Sequence, residues 1–452
     1  MELNDKKILV VGLARTGVAL CRFLAERRAR VTVTDQAAAE ALAEARRDLA
    51  GLGVTEELGV ARPDWRGYDL IILSPGVPPE LAWLQAAREA GLPVWGELEL
   101  ASHFLKKPVI AVSGTNGKTT TIALVGELLQ ASGLKPLVGG NIGTPAISLL
   151  SRQQEADRLV LEVSSFQLDT APSFHPQAAA LLNITPDHLD RYPSLAAYAA
   201  SKAGLFRQMQ DGDLKVCNAD DNWVAPLGAG PGRVYFFSVT HPLTRGAWLA
   251  DAALHLKLDG AREEIFPLAD IRLPGTHNLE NVMAALLLAL DAGAVPAACR
   301  RVLASFRGLP HRLEFVAEVD RVAFYDDSKG TNVGAVAVSL AYFSKPVILI
   351  AGGRDKDSDF SLISPLIRDR VKALVLLGET RERLSRVWEG LAPICLVKDM
   401  AEAVRRAHAL SRPGEVVLLS PACASFDMFK DYSERGETFQ RLVKELQDAS
   451  SS

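Results

Sequence analysis

A short apolar run, Pro108-Val-Ile-Ala-Val112, passes directly into Ser113-Gly-Thr-Asn-Gly-Lys-Thr-Thr120, and an apolar stretch to about Leu129 follows. A strand that turns through glycines into a helix commits this part of the chain to α/β architecture, with the helix packed back over the sheet. Backbone N–H groups of such a turn converge on one point, where the following helix adds its positive end, so a polyphosphate fits there. Lys118 is placed to reach β/γ-phosphates and the Thr119 hydroxyl to hold Mg²⁺. The spacing departs from G-x-x-x-x-G-K-[ST], because Val112 stands where the first glycine belongs. A glycine turn that only caps a helix is the competing reading, and the Lys-Thr pair after a strand argues against it.

A second strand–turn–helix unit opens the chain. Lys7–Gly12 reads as a buried strand, Gly12-Leu-Ala-Arg-Thr-Gly17 as a turn, the stretch to about Arg30 as a helix and Val31–Asp35 as a returning strand. That is a nucleotide-binding half-fold ending in an acid. Ala14 replaces the middle glycine of G-x-G-x-x-G, so a dinucleotide site and a uridine-nucleotide site on the same geometry both stay open. Leu70–Gly76 is another strand running into a Pro-Gly loop, and this unit closes near Trp95-Gly96. Further strands are predicted at Arg158–Val163, Ala178–Ile184, Val347–Gly353, Val371–Gly378 and Glu415–Ser420. Between about Ala219 and Ile271, Gly- and Pro-rich sequence with short β-like runs predicts a small excursion, before a helix that starts around His277. Gly308-Leu-Pro310 marks a second boundary, and the serine-bearing tail after Asp448 is expected to fray.

At roughly 150 residues per domain, 452 residues suggest three domains. Hydrophobic residues make up 48% and charged ones 23%, enough apolar sequence for several cores. A formal charge of -4 offers no global basic field for nucleic acid or membrane, so any phosphate must be met by local loops and placed cations. Cys21, Cys217, Cys299, Cys395 and Cys423 are odd in number and show no C-x-x-C spacing, which argues against a disulfide framework or a zinc site and for a reducing, cytoplasmic setting. The first residues lack signal-peptide architecture, and no charge-free apolar run reaches the ~18 residues of a membrane span.

Two further residues suit metal-assisted phosphoryl chemistry. Glu162 ends a strand in Leu-Glu-Val-Ser-Ser-Phe-Gln167, and His188 lies in Asn183-Ile-Thr-Pro-Asp-His-Leu-Asp190. Open α/β sheets bind ligands at the carboxyl ends of their strands, where both are expected. Each alone is weak, since a strand-end Glu is often solvated and a lone His is more often structural. Their shared neighbourhood with the phosphate loop gives them weight.

In order along nearly the whole chain, these motifs resemble the Mur ligases of peptidoglycan synthesis, and among them the members that add D-glutamate. The resemblance is carried by Gly12–Gly17, Leu73-Ser-Pro-Gly-Val77, the Gly114–Thr120 loop, Gly139-Gly-Asn-Ile-Gly143, Leu161–Leu168 and Asp187-His-Leu-Asp-Arg-Tyr-Pro193. It continues through His277-Asn-Leu-Glu-Asn281, Gly308-Leu-Pro-His-Arg-Leu-Glu314, Asp327-Ser-Lys-Gly-Thr-Asn332 and Leu419-Ser-Pro-Ala-Cys-Ala-Ser-Phe-Asp427. A folate polyglutamate ligase fits less well, given the UDP-type N-terminal unit. A diaminopimelate-adding sibling would carry an Asp-Asn-Pro-Arg run, which this sequence lacks. A non-catalytic or dehydrogenase-like protein built on the first unit is the remaining alternative.

The resemblance implies an α/β fold of three domains. These are a Rossmann-like UDP-binding domain (1–96), a central P-loop ATP-binding domain (97–307) and a Rossmann-like C-terminal domain that binds the amino acid (308–452). The UDP substrate, UDP-N-acetylmuramoyl-L-alanine, would meet Ala14, Arg15, Thr16, Asp35, Ser74 and Gly76, with Asn141 and Gln167 along the rest of the sugar nucleotide. ATP would meet Gly114, Thr115, Asn116, Gly117, Lys118, Thr119, Thr120 and Asn281, with Arg312 at the phosphates and Asp327 at the ribose. Lys202, in Tyr198-Ala-Ala-Ser-Lys202, matches the lysine that this family carries as a carbamate. Two Mg²⁺ ions would use Thr119, Glu162, His188 and that carbamate. D-Glutamate would meet His188, Thr331, Lys356, Ser425, Phe426 and Tyr432. Gly330 stands where alanine is common and Phe426 where leucine is usual. The catalytic set expected is Lys118, Glu162, His188, Lys202 and Arg312, acting on small molecules in a monomeric chain.

Overall fold

The computed structural model describes residues 1–260, 262–273, 275–355 and 357–451. The chain groups into two compact units: one comprises Met1–Asn183, Ala199–Ile271 and Glu280–Ser305, the other Ile184–Tyr198, Arg272–Leu279 and the chain from Phe306 onward. Two sheets lie in the first unit and one in the second, a three-domain α/β architecture.

The first sheet contains β1 (Lys7–Val11), β2 (Arg30–Asp35), β3 (Thr55–Leu58), β4 (Leu70–Leu73) and β5 (Val94–Gly96), all parallel in the order β3-β2-β1-β4-β5. The helix Arg15–Glu26 joins β1 to β2, as the sequence predicts. The apolar strands β1 and β4 lie inside and are buried on both faces, which is why they read as continuous hydrophobic runs. The edge strand β3 escaped sequence reading because Thr-Glu-Glu-Leu is polar and half exposed.

The second sheet contains β6 (Val109–Ser113), β7 (Pro136–Gly140), β8 (Arg158–Glu162), β9 (Ala178–Leu181), β10 (Leu214–Asn218), β11 (Arg233–Ser238), β12 (Gly246–Ala250), β13 (Ala253–Lys257) and β14 (Glu264–Pro267). Its order is β14-β13-β12-β11-β10-β9-β6-β8-β7, with only the β12-β13 and β13-β14 pairs antiparallel. The stretch predicted as a small excursion is instead a continuation of the main sheet. β11 pairs with β10 in parallel, and a tight meander, Ala250 paired to Ala253, then adds β13 and the edge strand β14. The strand β6 sits between β8 and β9, so the carboxyl ends of these three strands bring Ser113, Glu162 and Leu181 to one rim.

The third sheet holds β15 (Glu314–Val319), β16 (Val322–Asp326), β17 (Val347–Gly352), β18 (Val371–Leu377), β19 (Ile394–Leu396) and β20 (Val416–Leu419), in the order β15-β16-β20-β17-β18-β19. Only the β15-β16 pair is antiparallel. Alternate residues of β17 face two separate cores. Val347, Leu349 and Ala351 pack with Trp388 and Phe360, while Ile348 and Ile350 pack with Phe439 and Val443 of the helix Tyr432–Ser451. Helices therefore cover both faces, as a parallel sheet requires. That last helix extends to Ser451, through Ser450 and Ser451 of the tail expected to fray. No helix among the described residues is long and apolar enough to cross a membrane.

Candidate active site

The glycine turn after β6 is held by one side chain that sequence reading left without a role. Asn183 accepts the Thr115 N–H on its carbonyl (2.9 Å) and the Asn116 N–H on Oδ1 (2.8 Å), and its own Nδ2 donates to the Asn116 carbonyl (3.2 Å). Gly117 begins the helix Lys118–Ala131 in the left-handed region (φ 86°) with no side-chain cap, and a Cβ there would overlap Asn281 Oδ1. Only glycine fits this position. Asn281, 4% exposed, also lies 3.4 Å from the Thr121 hydroxyl, so it closes against the turn as expected of a residue in this site. The uncapped positive end of a 14-residue helix is suited to an anion.

Lys118 Nζ donates to the carbonyls of Gly114 (2.8 Å) and Thr115 (2.9 Å). Lys202 Nζ donates to the same Gly114 carbonyl at 2.8 Å, and its side chain is 1% exposed. Lys202 is thus not a solvated residue of its helix. Thr119 Oγ1 donates to Glu162 Oε2 (2.7 Å), and Asn141 Nδ2 donates to Glu162 Oε1 (3.1 Å). The structure thus brings Gly114, Thr115, Asn116, Gly117, Lys118, Thr119, Thr120, Asn141, Glu162, Lys202 and Asn281 to one rim of the second sheet. A hydroxyl and a carboxylate in contact are hard oxygen donors of the kind Mg²⁺ prefers, so these residues fit the ion.

Gln167 is buried in a capping box, where its Oε1 accepts from the Ser164 N–H (3.0 Å) and hydroxyl (3.1 Å). Glu97, just after β5, links the first sheet to this region. Its Oε1 accepts the Ile147 N–H at 2.7 Å, and burial pushes its carboxyl up to about 7 against the pull of Ile147, Gln167 and Ala146. In the first sheet, Asp35 Oδ2 accepts the Leu13 N–H (2.7 Å) and Oδ1 the Ala37 N–H (2.9 Å). Ser74 Oγ donates to the Gly12 carbonyl (2.8 Å). Asp35 and Ser74 therefore shape the Gly12–Gly17 turn from both sides, with Ala14, Arg15 and Gly76 exposed and Thr16 half-buried at its mouth.

In the second unit, His188 adopts φ 56° beside Asp187, whose carboxylate also accepts from Asn332 Nδ2 (3.1 Å). Arg312 lies in a turn between His311 and Leu313, and Asp327 is buried. Asp327 Oδ2 accepts the hydroxyls of Ser339 and Ser420 (both 2.7 Å), and burial pushes its carboxyl up to about 6. Ser425 is buried, Phe426 is 63% exposed, and Thr331 and Tyr432 are half-buried. Lys356 falls outside the described residues. A residue without a sequence signal joins the loops around these positions. Arg435, 2% exposed, donates from Nε to Ser328 Oγ (3.0 Å) and from its terminal nitrogens to the carbonyls of Ser328 (2.8 Å) and Cys423 (3.2 Å). Burial lowers its guanidinium to about 10.

Three family descriptions match successive parts of the chain: the MurD-like N-terminal domain (residues 6–96), the Mur ligase middle domain (112–289) and the Mur ligase glutamate ligase domain (311–423). The UDP-N-acetylmuramoylalanine–D-glutamate ligase of Geotalea uraniireducens is 48% identical over 99% of both chains. The protein of the same name from Pelotomaculum thermopropionicum is 43% identical, over 98% of this chain and 99% of that one. Among solved structures, a pseudomurein peptide ligase type C from Methanothermus fervidus superposes with a TM-score of 0.62 at 18% identity, covering 98% of this chain and 100% of the other. The UDP-N-acetylmuramate–alanine ligase MurC of Thermotoga maritima does so with 0.58 at 22%, covering 98% and 99%. These structural likenesses speak for the fold. The full-length identity goes further: the chain belongs to the Mur ligase family, among the UDP-N-acetylmuramoylalanine–D-glutamate ligases.

Proposed function

We propose that this protein joins D-glutamate to UDP-N-acetylmuramoyl-L-alanine at the expense of ATP, releasing ADP and phosphate, in cytoplasmic peptidoglycan precursor synthesis. The observation that carries the chemistry is the rim of the second sheet, where Lys118 and Lys202 converge on one carbonyl beside the Thr119–Glu162 contact.

A carboxylate does not react with an amine at neutral pH, because its oxygen leaves poorly. Transfer of the γ-phosphoryl of ATP to the alanyl carboxylate gives an acyl phosphate and ADP. The D-glutamate amine then attacks that carbonyl, loses a proton, and phosphate leaves from the tetrahedral intermediate. Lys118 stands at the helix N-terminus, where it stabilises charge on the transferring phosphoryl group. Arg312 is assigned to the same phosphates, and Asp327 to the ribose, on sequence resemblance. Thr119, Glu162, His188 and a carbamate on Lys202 would hold two Mg²⁺, which when bound neutralise the crowded anions. The Lys202 carbamate is supported by crowding of charge: two ammonium groups within hydrogen-bond reach of one buried oxygen repel each other, and converting one to an anion removes that repulsion.

The UDP substrate is assigned to Ala14, Arg15, Thr16, Asp35, Ser74, Gly76, Asn141 and Gln167, and D-glutamate to His188, Thr331, Lys356, Ser425, Phe426 and Tyr432. Domain limits at 96/97 and 307/308, and a monomeric chain, belong to the same proposal. The test is phosphate release from ATP with UDP-N-acetylmuramoyl-L-alanine against a panel of D- and L-amino acids. Release with D-glutamate alone is expected; equal release with an L-amino acid, or none with any, would overturn the assignment.

A further inference from the structure

Glu314 of β15 and Asp326 of β16 are directly opposed in the one antiparallel pair of the third sheet. Like charges facing each other across a strand pair destabilise it unless something bridges them. Here the bridge is Gln440, on the C-terminal helix: its Nε2 lies 2.9 Å from Asp326 Oδ2 and 3.0 Å from Glu314 Oε2. A metal ion could in principle sit among His311, Glu314 and Asp326. The amide of Gln440 already fills that centre, 3.4 Å from His311 Nδ1.

Both carboxylates serve one turn. His311 Nδ1 lies 2.7 Å from Asp326 Oδ2, and this bond raises the imidazole pKa. Glu314 Oε2 accepts the His311 N–H (2.8 Å), the His311 carbonyl accepts the Lys329 N–H (3.1 Å), and Asp327 Oδ1 accepts the Leu313 N–H (3.3 Å). The turn needs these restraints, because His311 (φ 62°) and Leu313 (φ 49°) both hold left-handed backbone. A non-glycine residue in that region is strained and persists only where its surroundings impose it. Leu313 is 5% exposed and anchored in the core, and the half-buried Arg312 lies between the two strained positions, so its backbone placement is set by them.

We propose that Gln440 is a positioning residue for Arg312, acting through Glu314, Asp326 and the His311–Leu313 turn. The inference rests on the assignment of Arg312 to the phosphates of ATP. Gln440→Leu keeps the bulk and removes the side-chain amide that spans both carboxylates, leaving only His311 in contact with the two and the turn freer to relax. It is expected to lower kcat/KM for ATP about tenfold, with KM for the UDP substrate unchanged.

The decisive measurement is a double-mutant cycle with Arg312→Ala. If Gln440 works through Arg312, the tenfold loss shrinks to less than about twofold in the Arg312→Ala background. The same loss in both backgrounds, or no loss in the wild-type background, overturns the proposal while leaving the Arg312 assignment standing. An Arg312→Ala enzyme with unaltered ATP kinetics overturns that assignment instead, and a loss from Gln440→Leu in that case then excludes a route through Arg312. Gln440→Asn, whose amide stops one methylene short of both carboxylates, carries the same cycle if Gln440→Leu does not fold.

Discussion

Lys202 carries the most direct test of the chemistry, because an ammonium group 1% exposed has little reason to be there unless it is modified or paired. A cationic lysine repels Mg²⁺, whereas its carbamate offers two hard oxygens. Lys202→Ala is expected to lose most of its ligase activity, and formate or acetate at high concentration to restore part of it by occupying the vacated space. Near-wild-type activity without added carboxylate rules the metal role out. Gly330 gives a prediction on stability. A Cβ added there would lie 2.5 Å from Asp327 Oδ2 and 2.7 Å from Ser420 Oγ, which forces apart a buried hydroxyl–carboxylate contact of 2.7 Å. Gly330→Ala, although alanine is common at this position in the family, should therefore cost about 1–3 kcal/mol here. Thermal unfolding at unchanged midpoint would show that the loop yields without penalty.

Between strand and helix, the phosphate loop depends on a neighbour from the next strand over. Asn183 makes two side-chain bonds to Asn116, each worth about 0.5–1.5 kcal/mol, and β9 sets it beside β6. Asn183→Ala should raise KM for ATP by roughly tenfold, at ~1.4 kcal/mol per decade, with little effect on KM for D-glutamate. Equal change in both constants would mean that the loop holds its shape alone. The contrast between loop and neighbour also shows what sequence can carry. The turn Gly114–Thr120 was legible because its chemistry is local: a strand, two glycines, a lysine and a hydroxyl in seven residues. Asn183 stood inside a recognised motif, yet its partner lies 67 positions away, and no local pattern states which loop it grips. Arg435 and Gln440 were invisible for the same reason, being helix residues that grip Ser328 and the Glu314–Asp326 pair more than 100 positions upstream. Strands buried on both faces, such as β6 and β17, announced themselves as apolar runs. The edge strands β3 and β14 did not, since one carries paired acids and the other alternates with exposure.

For the molecule as a whole, buried ionisable groups tie stability to pH in a direction that can be worked out. Burial pushes Glu97 and Glu280 each up to about 7, from an unfolded value near 4.3. Their protonated forms favour the folded state, so the stability they contribute is complete below about pH 4.3 and is lost as pH rises through 7. His277, lowered by burial to about 4, works the other way: its contribution is complete above about pH 6.5 and is lost as pH falls through 4. Well above pH 6.5 His277 is neutral in both states and drops out of this slope, while His311, raised by its bond to Asp326, loses stabilisation with rising pH in the same direction as the two glutamates. Glu97 isolates the effect, because Glu97→Gln keeps an oxygen for the Ile147 N–H while removing the ionisation. At about 1.4 kcal/mol for each tenfold change in proton affinity, ionising Glu97 within the fold costs on the order of 3 kcal/mol. The variant should therefore unfold close to wild type at pH 4 and at a progressively higher temperature than wild type between pH 5 and pH 8. A gap that stays constant with pH would mean that Glu97 ionises in the fold as easily as in water. A gap of opposite sign would mean that the anion, held by the Ile147 and Ala146 amides and Gln167, is the form that stabilises the junction.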